Sequence, residues 1–121
     1  MANPGPLIKS FVAEAAIPAR TLVKPGASGG VVPAAAATDN VIGVSDTLDA
    51  TLGQTVDVIM SGSAEVKLGG TVAAGKSIAA NASGAGVAGA AGAGNVAVGY
   101  ALEAGVSGDI VDVVLARHSV T

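Results

Sequence analysis

Residues 42–60, IGVSDTLDATLGQTVDVIM, are matched by residues 98–115, VGYALEAGVSGDIVDVVL. Each segment opens with an apolar residue and a glycine, passes through a polar stretch and ends in Gly-x-x-Val-Asp-Val. The opening glycines are 56 positions apart and the later glycines 55, so the second copy is one residue shorter in its loop. Two related strand–turn–strand units in one chain predict a pseudo-symmetric β-barrel or sandwich.

Alternation of apolar and polar residues indicates that this framework is antiparallel β-sheet. Residues 55–60, TVDVIM, and residues 64–68, AEVKL, place apolar side chains at every second position, which is typical of half-buried strands. We expect these two strands to form a β-hairpin across Ser61-Gly62-Ser63. No window has the sustained apolar spacing of a helix, so the fold class is all-β. Further strands are predicted at residues 19–24, 41–45, 76–80, 95–102 and 110–117.

Glycines and prolines divide the chain further. Gly43 and Gly99 interrupt apolar strand patterns, so we expect them at bulges or corners of the sheet. Residues 81–94, NASGAGVAGAAGAG, are of low complexity and predict a loop between strands. The predicted organisation is an extended N-terminal arm, residues 1–11, followed by one β-rich domain, residues 12–121, which contains this Ala/Gly-rich loop.

The N-terminal arm is the first candidate for a contact with another protein. Pro4 and Pro6 keep the backbone extended, and Leu7, Ile8 and Phe11 supply apolar anchors. Such an arm can lie along a neighbouring protein and become ordered on binding. The alternative interpretation is a disordered tail.

Composition limits the functions that the chain can have. The 121 residues carry a net charge of −3 and form no basic patch, so we predict no nucleic-acid partner. Residues 77–102 are uncharged but consist mostly of Ala and Gly, so we predict no membrane helix. Only two residues are aromatic, and Ala and Val supply most of the apolar surface. A core of small side chains favours stabilisation by a partner subunit.

Catalytic and metal-binding residues are scarce. The chain has no Cys and a single His, His118, which we expect to be solvated near the C-terminus. One histidine cannot supply a zinc site, which needs three or four N or S ligands. The carboxylate pairs Asp46/Asp49 and Asp109/Asp112 are predicted to be solvated loop side chains rather than a calcium site. We therefore predict no catalytic residue, no metal, no cofactor and no small-molecule substrate.

Two glycine patterns suggest a different class of function. Residues 70–77, GTVAAGKS, match the phosphate-loop pattern G-x-x-x-x-G-K-[ST], and residues 84–89, GAGVAG, match the dinucleotide pattern G-x-G-x-x-G. A phosphate loop needs a helix after the lysine, and the glycines that follow disfavour one. We interpret the first match as a turn, residues 73–75, between two short strands, and the second as a chance match in a glycine-rich segment. The alternatives left open are a nucleotide-binding enzyme that uses Lys76 and Ser77, and a lipoyl- or biotinyl-type carrier domain modified at Lys76.

The longer sequence context resembles a known family. The runs IPARTLVKPGASGGVVPAAAATDNVIGVSDT, GQTVDVIMSGSAEVKLGGTVAAGKSI and VGYALEAGVSGDIVDVVL are similar to the small head decoration, or cement, proteins of tailed bacteriophages. The resemblance covers roughly residues 12–115 and departs at the Ala/Gly segment 82–94. The positions that carry it are scaffold positions: 42–44, 56–58, 61–62, 69–75 and 108–111.

The resemblance implies a function without catalysis. Proteins of this family are β-rich, usually trimeric, and bind the outer face of an icosahedral capsid. The partner implied here is the major capsid protein, whose neighbouring subunits the protein would bridge. The protein would be made in the bacterial host cytoplasm and located on the virion. Within that expectation, the arm residues are the capsid-contact candidates: Pro4, Pro6, Leu7, Ile8 and Phe11.

Overall fold

The computed structural model describes residues 7–89 and 95–119, which form ten β-strands and no helix. The strands are arranged in two five-stranded sheets in which every strand pairing is antiparallel. The predicted all-β class is confirmed. In chain order the strands are β1 (Ile8–Val12), β2 (Leu22–Pro25), β3 (Val31–Pro33), β4 (Gly43–Ser45), β5 (Thr55–Ile59), β6 (Ser63–Lys67), β7 (Ser77–Ala80), β8 (Gly86–Ala88), β9 (Val96–Ala101) and β10 (Ile110–Ser119).

The two sheets are copies of one topology. The first has the order β1-β5-β4-β2-β3 and the second has the order β6-β10-β9-β7-β8. The edges of each sheet approach at one isolated parallel bridge, Ala13–Val31 in the first sheet and Leu68–Gly86 in the second. A single bridge does not close a sheet into a barrel, so the fold is sandwich-like rather than the barrel that was the other expectation.

The internal repeat therefore covers nearly all of the described chain. We call residues 8–60 the first repeat and residues 63–119 the second repeat. The two isolated bridges recur at a spacing of 55 residues, and so do the pairs of glycines with positive φ, Gly29/Gly84 and Gly53/Gly108. The sequence alone revealed only the second half of each repeat, residues 42–60 and 98–115, where the Val-Asp-Val motif lies.

The predicted hairpin between β5 and β6 is wrong. β5 pairs with β1 and β4, whereas β6 pairs with β10. The segment Ser61–Ser63 instead carries the chain from the first repeat to the second, and Gly62 has a positive φ of 84° there. Both strands alternate as predicted, but alternation does not identify the strand to which each one hydrogen-bonds.

Three short strands lie outside the sequence prediction. β8 falls inside residues 81–94, so part of the predicted Ala/Gly loop is strand; residues 90–94 lie outside the described residues. β3 was also missed. β1 contains the last four residues of the predicted arm, and it is hydrogen-bonded to β5 along its whole length. The described part of that segment therefore belongs to the first sheet rather than lying apart from the domain.

Each repeat has its own apolar cluster, built mainly of Val, Ala, Leu and Ile. The first comprises Ala13, Ile17, Val23, Val31, Ala50, Val56 and Val58. The second is larger and also contains four side chains of the first repeat, namely Leu22, Ala34, Val41 and Val44. This contribution joins the two repeats into one packed unit.

Backbone hydrogen bonds also join the repeats. Residues 20–22 of the first repeat lie along the outer edge of β6, where the Lys67 N–H donates to the Arg20 carbonyl at 3.0 Å. The Leu22 N–H donates to the Gly84 carbonyl at 2.9 Å. Gly84 is buried there, and a Cβ at this position would press against Thr21. The first repeat thus covers the β6 edge of the second sheet, which would otherwise be exposed.

Gly43 and Gly99 occupy equivalent central positions where two backbones approach closely. A Cβ at Gly99 would collide with the carbonyl oxygen of Val114, and one at Gly43 would collide with that of Ile59. The β9–β10 register shifts directly after the Gly99 pairing, between Leu115 and His118. The expectation of a bulge is confirmed at Gly99, and close approach is the physical requirement at both glycines.

Candidate functional site

The outer face of the second sheet carries a group of exposed apolar side chains on β9 and β10, beside the exposed Asp112 of β10 and the exposed Glu65 and Lys67 of β6. Strand register places Tyr100 opposite Val114, and the Leu102 N–H donates to the Asp112 carbonyl one step along. We name the side chains Tyr100, Leu102, Ile110 and Val114 the open face; they are 39%, 57%, 44% and 36% exposed. Apolar side chains gathered in this way are typical of a surface that another protein covers.

One end of the equivalent face of the first sheet is buried, whereas Thr55 and Asp57 on the same face of β5 are exposed. Leu22 and Val44 are each 0% exposed, and Ile59 is half-buried against the same cluster. In the second repeat these positions are held by Ser77, Tyr100 and Val114, the row that crosses β7, β9 and β10. Tyr100 and Val114 of the open face are thus the counterparts of residues that already form an interface elsewhere in the molecule.

His118 lies at one end of this face and is not simply solvated. Its ring stacks on Tyr100 with the centroids 4.5 Å apart and the planes 11° apart. The Ala116 carbonyl, 2.7 Å from Nδ1, can only accept, so Nδ1 donates to it, and Nε2 forms a second hydrogen bond with Ser77 Oγ at 2.9 Å. The prediction of a solvated tail histidine is wrong, because β10 continues through Ser119 and brings the ring against β7 and β9. These contacts fix the end of β10 to its neighbours.

The candidate arm residues divide into three groups. Pro4 and Pro6 lie outside the described residues. Leu7 and Ile8 are 57% and 47% exposed at the start of β1, and the Leu7 N–H donates to Ser61 Oγ at 3.0 Å. Phe11 is half-buried against the first apolar cluster, with the Lys9 ammonium 5.6 Å from its ring centroid. Of the described candidates, Leu7 and Ile8 are the more accessible.

The segment that matches a phosphate loop does not have that geometry. Val72 forms a bridge with Gly105, Gly75 has a positive φ of 80°, and Ser77 begins strand β7 rather than a helix. Without a helix there is no row of free N-terminal amides directed at a phosphate. The second match, residues 84–89, contains strand β8. The interpretation of the first pattern as a turn between strands agrees with the structure, whereas half of the second pattern is strand.

Lys76 does not lie where a carrier domain would hold a modified lysine. Its side chain is exposed after a turn in which its N–H donates to the Ala73 carbonyl at 3.3 Å. The flanking strands β6 and β7 are not neighbours in the sheet, since β10 and β9 lie between them. Lys76 therefore does not project from the tip of a hairpin.

Two of the carboxylates in and beside the loop between β4 and β5 accept hydrogen bonds within the first repeat. Asp46, Asp49 and Asp57 border an open hollow of about 600 Å³. Asp49 accepts from the Ala19 N–H at 2.7 Å, and Asp57 accepts from Ser10 Oγ at 2.6 Å. Within residues 7–89 and 95–119 no group of three or more His, Asp or Glu side chains is arranged to hold a metal ion.

Asp39 is the carboxylate whose protonation the fold alters. The Ala35 N–H donates to it at 2.7 Å, the Lys24 ammonium lies 3.1 Å away, and the Ala36 N–H donates at 3.0 Å. These contacts, with the Ala35 amide foremost, lower the pKa of Asp39 below its ordinary value although partial burial acts to raise it. Its role is to hold the loop between β3 and β4.

Sequence reasoning missed the open face as a site. A signal for it was present, because the repeat aligns Leu22 with Ser77 and Val44 with Tyr100, and these pairs differ in polarity or size. That signal becomes readable only when the repeat is traced through its first half, where the sequences have diverged. No helix in the described ranges is long and apolar enough to cross a membrane.

Comparison with known proteins gives a likeness among solved structures. No family model matches the sequence, and no curated protein matches it. Among solved structures, the N base of the head fiber protein gp8.5 of bacteriophage phi29 superposes with a TM-score of 0.68 at 19% sequence identity. The match covers 92% of this chain and 94% of the phi29 chain. The chain therefore has the fold of that head fiber base over nearly its whole length.

Proposed function

We propose that this chain is a structural protein of a bacteriophage head. It binds the outer capsid surface and stabilises the head by bridging neighbouring major capsid subunits. The observation that carries the proposal is the likeness to the phi29 head fiber base along almost the full length of both chains. The protein is made in the host cytoplasm, is located on the virion and acts by binding rather than by catalysis.

The physical properties of the chain support adhesion. Two sheets with small side chains form a rigid platform, and apolar residues remain exposed on the open face and at the start of β1. We propose that the protein acts as a homotrimer. Three joined copies can raise the apparent affinity by about 10² to 10⁴ without any new type of contact. Binding to assembled capsid then opposes separation of the subunits by mass action.

We propose that the N-terminal segment supplies the capsid contact. Leu7 and Ile8 are accessible at the start of an edge strand, and Pro4 and Pro6 precede them in the chain. Phe11 supports the segment from the core side, because it packs on the first apolar cluster. This division assigns direct contact to the residues before β1 and the first residue of that strand.

The test is a binding measurement on heads that lack this protein. Wild type, a deletion of residues 2–6 and the variant Leu7→Ser/Ile8→Ser are each mixed with heads, and bound protein is quantified after sedimentation. The control is Leu48→Ser, because Leu48 is 78% exposed on the loop between β4 and β5 and belongs to neither the N-terminal segment nor β1. We expect saturable binding by wild type and control and a loss of at least tenfold in affinity for the other two.

Two results would contradict the proposal at different levels. Failure of wild type to bind heads, or to protect them against heat or chelator, rejects the virion function. Full binding by both N-terminal variants rejects the proposed contact while the virion function stands. The mass of the free protein, compared with three times the 11.3 kDa of one chain, tests the homotrimer separately.

A further inference from the structure

The two repeats have the same topology but different surroundings, and this difference reveals an unfilled interface. In the second repeat, the edge of β6 is covered by residues 20–22 of the first repeat. The equivalent edge in the first repeat is that of β1, and it is open: Val12 is 54% exposed and Gly29, the counterpart of Gly84, has no heavy atom within 4 Å of a Cβ position. We name Val12 and Gly29 the open edge.

The strand register shows which amide the open edge presents. The Met60 N–H donates to the Leu7 carbonyl and the Ala13 N–H to the Gln54 carbonyl, so odd-numbered residues of this segment bond toward β5. Hydrogen-bonded positions alternate along an antiparallel strand, so the Val12 N–H points away from β5. Its counterpart, the Lys67 N–H, makes the bond between the repeats.

The second repeat carries the complementary surface. Two members of its open face, Tyr100 and Val114, stand at the positions of Val44 and Ile59, which pack in the interface between the repeats, and the neighbouring Ser77 stands at that of Leu22. The backbone segment 75–77 corresponds to residues 20–22, and Gly75 has the same left-handed conformation as Arg20, with φ of 80° against 56°. One chain thus presents an unused copy of each side of the same contact.

We infer that the open face of one copy binds the open edge of a second copy of this chain, by repeating the contact found between its two repeats. The equivalent bonds are from the Val12 N–H to the Gly75 carbonyl of the neighbouring copy, and from that copy's Ser77 N–H to the Gly29 carbonyl. Tyr100 then covers the exposed side of the first apolar cluster near Phe11.

Charge favours the same pairing. Lys76 stands at the position of Thr21, whose methyl group is 2.7 Å from the Cβ position of Gly84. In the intermolecular contact the Lys76 side chain arrives beside Gly29. The Glu14 carboxylate lies under that loop, where it accepts from the Ser28 N–H at 3.1 Å. The lysine is exposed in the free chain, and its partner in the assembly is an acidic side chain.

Such a contact joins different surfaces of the two copies, so it builds a ring when its rotation closes. This inference rests on the proposed function in one respect, that the protein associates with itself. It adds the surfaces that make the contact, the open face and the open edge. The first test is the association state of the purified chain by sedimentation and light scattering over a range of concentrations. We expect oligomers in wild type, whereas a monomer at all concentrations would overturn the inference.

Substitutions then address each surface. Val12→Pro removes the outward N–H at an edge position where proline is tolerated. Its matched control is Ser10→Pro, which removes another outward N–H of the same edge. The counterpart of Ser10 in the second repeat is Glu65, whose N–H makes no backbone bond to the first repeat, so the Ser10 N–H is not part of the inferred contact. On the other surface, Tyr100→Asp is compared with Leu48→Asp. We expect Val12→Pro and Tyr100→Asp to weaken association about tenfold or more and the controls to leave it unchanged.

A mixing experiment gives the most specific result. Val12→Pro retains the open face, and Tyr100→Asp retains the open edge. A mixture should form a complex of two chains, one of each variant, while neither associates alone. The inference is overturned if both variants associate as strongly as wild type. It is also overturned if the mixture associates no more than each variant does alone. If the wild type is monomeric and the Val12→Pro variant no longer binds heads, then the open edge contacts the capsid instead. That result also overturns the inference.

Lys76→Glu provides a test independent of backbone and packing changes. It reverses one exposed charge outside the core, so folding is preserved. We expect weaker association and a shallower dependence on salt than in wild type. Association of this variant with the affinity and salt dependence of wild type counts against the inferred orientation. Head binding measured in parallel separates this inference from the proposed function, since either can fail alone.

Discussion

Glu14 and Asn81 bind the same pair of turn amides in the two repeats from different positions in the chain. Glu14 accepts from the Ser28 and Gly30 N–H groups, and Asn81 accepts from those of Ser83 and Ala85, 55 residues later. Gly26 stands in the first repeat at the position of Asn81, and Gly69 stands in the second repeat at the position of Glu14. A Cβ at Gly26 would collide with Glu14, and a Cβ at Gly69 would collide with Asn81. The turn is preserved although its anchor has moved.

This relationship predicts a cost for removing the anchor. Asn81→Ala leaves two amides without their acceptor, so we expect the free energy of unfolding to fall by about 1–2 kcal/mol. Urea unfolding measures the change. The control is Ser83→Ala, which alters an exposed side chain of the same turn and should cost far less. Equal stability of the two variants would contradict the assigned role of Asn81.

The anchors should also be exchangeable. Gly69→Glu alone places a side chain against Asn81 and should destabilise the second repeat. Combined with Asn81→Gly, it recreates the arrangement of Glu14 and Gly26 in the first repeat. We expect a favourable coupling energy of about 1 kcal/mol or more in a double-mutant cycle. Additive losses would show that the two anchors are not equivalent.

Gly99 is predicted to be the least replaceable glycine of the second sheet. Gly99→Ala forces a Cβ against the Val114 carbonyl oxygen, and neither backbone can move without breaking the β9–β10 pairing. We expect a loss of roughly 3 kcal/mol. Gly108→Ala is the comparison, since its Cβ meets open space and only its positive φ of 91° is unfavourable, at about 1–2 kcal/mol. Calorimetric or urea melting of both variants decides the order, and a smaller loss at Gly99 contradicts it.

The lowered pKa of Asp39 predicts that part of the stability of the fold is lost in acid. Its pKa is lowered in the folded protein, first by the Ala35 amide and then by Lys24, so its contribution is present above the unfolded pKa, near 3.8. That contribution is lost as the pH falls through the folded value. We expect Asp39→Asn to cost about 1 kcal/mol at neutral pH and progressively less below about pH 4. Lys24→Met should remove a part of the same effect. A difference between wild type and Asp39→Asn that is independent of pH would contradict this assignment.

The glycine patterns make a negative prediction for nucleotides. Titration of ATP and Mg²⁺ into the protein should give no binding heat, because Ser77 begins a strand and no helix N-terminus faces the Gly70–Gly75 turn. Lys76→Ala should give the same trace as wild type. Heat at micromolar ATP that disappears in Lys76→Ala would restore the nucleotide-binding alternative.

Strands could be predicted from the sequence where side chains alternate strongly. Residues 55–59, 63–67 and 110–119 are strands in the structure, and their alternating valines, with Ala64 in β6, are the buried positions. β3 and β8 have only three residues each, too few for a periodic signal. They persist because neighbouring strands supply their hydrogen bonds.

Pairing was harder to predict than strand position. The turn at Ser61–Ser63 has the length and composition of a hairpin loop, yet it separates the two repeats. The repeat itself contains the correction, since the Val-Asp-Val strands β5 and β10 are equivalent and therefore belong to different sheets. His118 could not be placed from sequence, because its contacts with Ser77 and Tyr100 depend on the order β10-β9-β7.

The short connection between the repeats has a consequence for dilute protein. Residues 61–62 tether the two halves, so the contact between them forms at an effective concentration in the millimolar range or above. That contact is therefore made in every molecule, however dilute the protein is. Its counterpart between separate molecules has no tether, so it should respond to how much protein has accumulated.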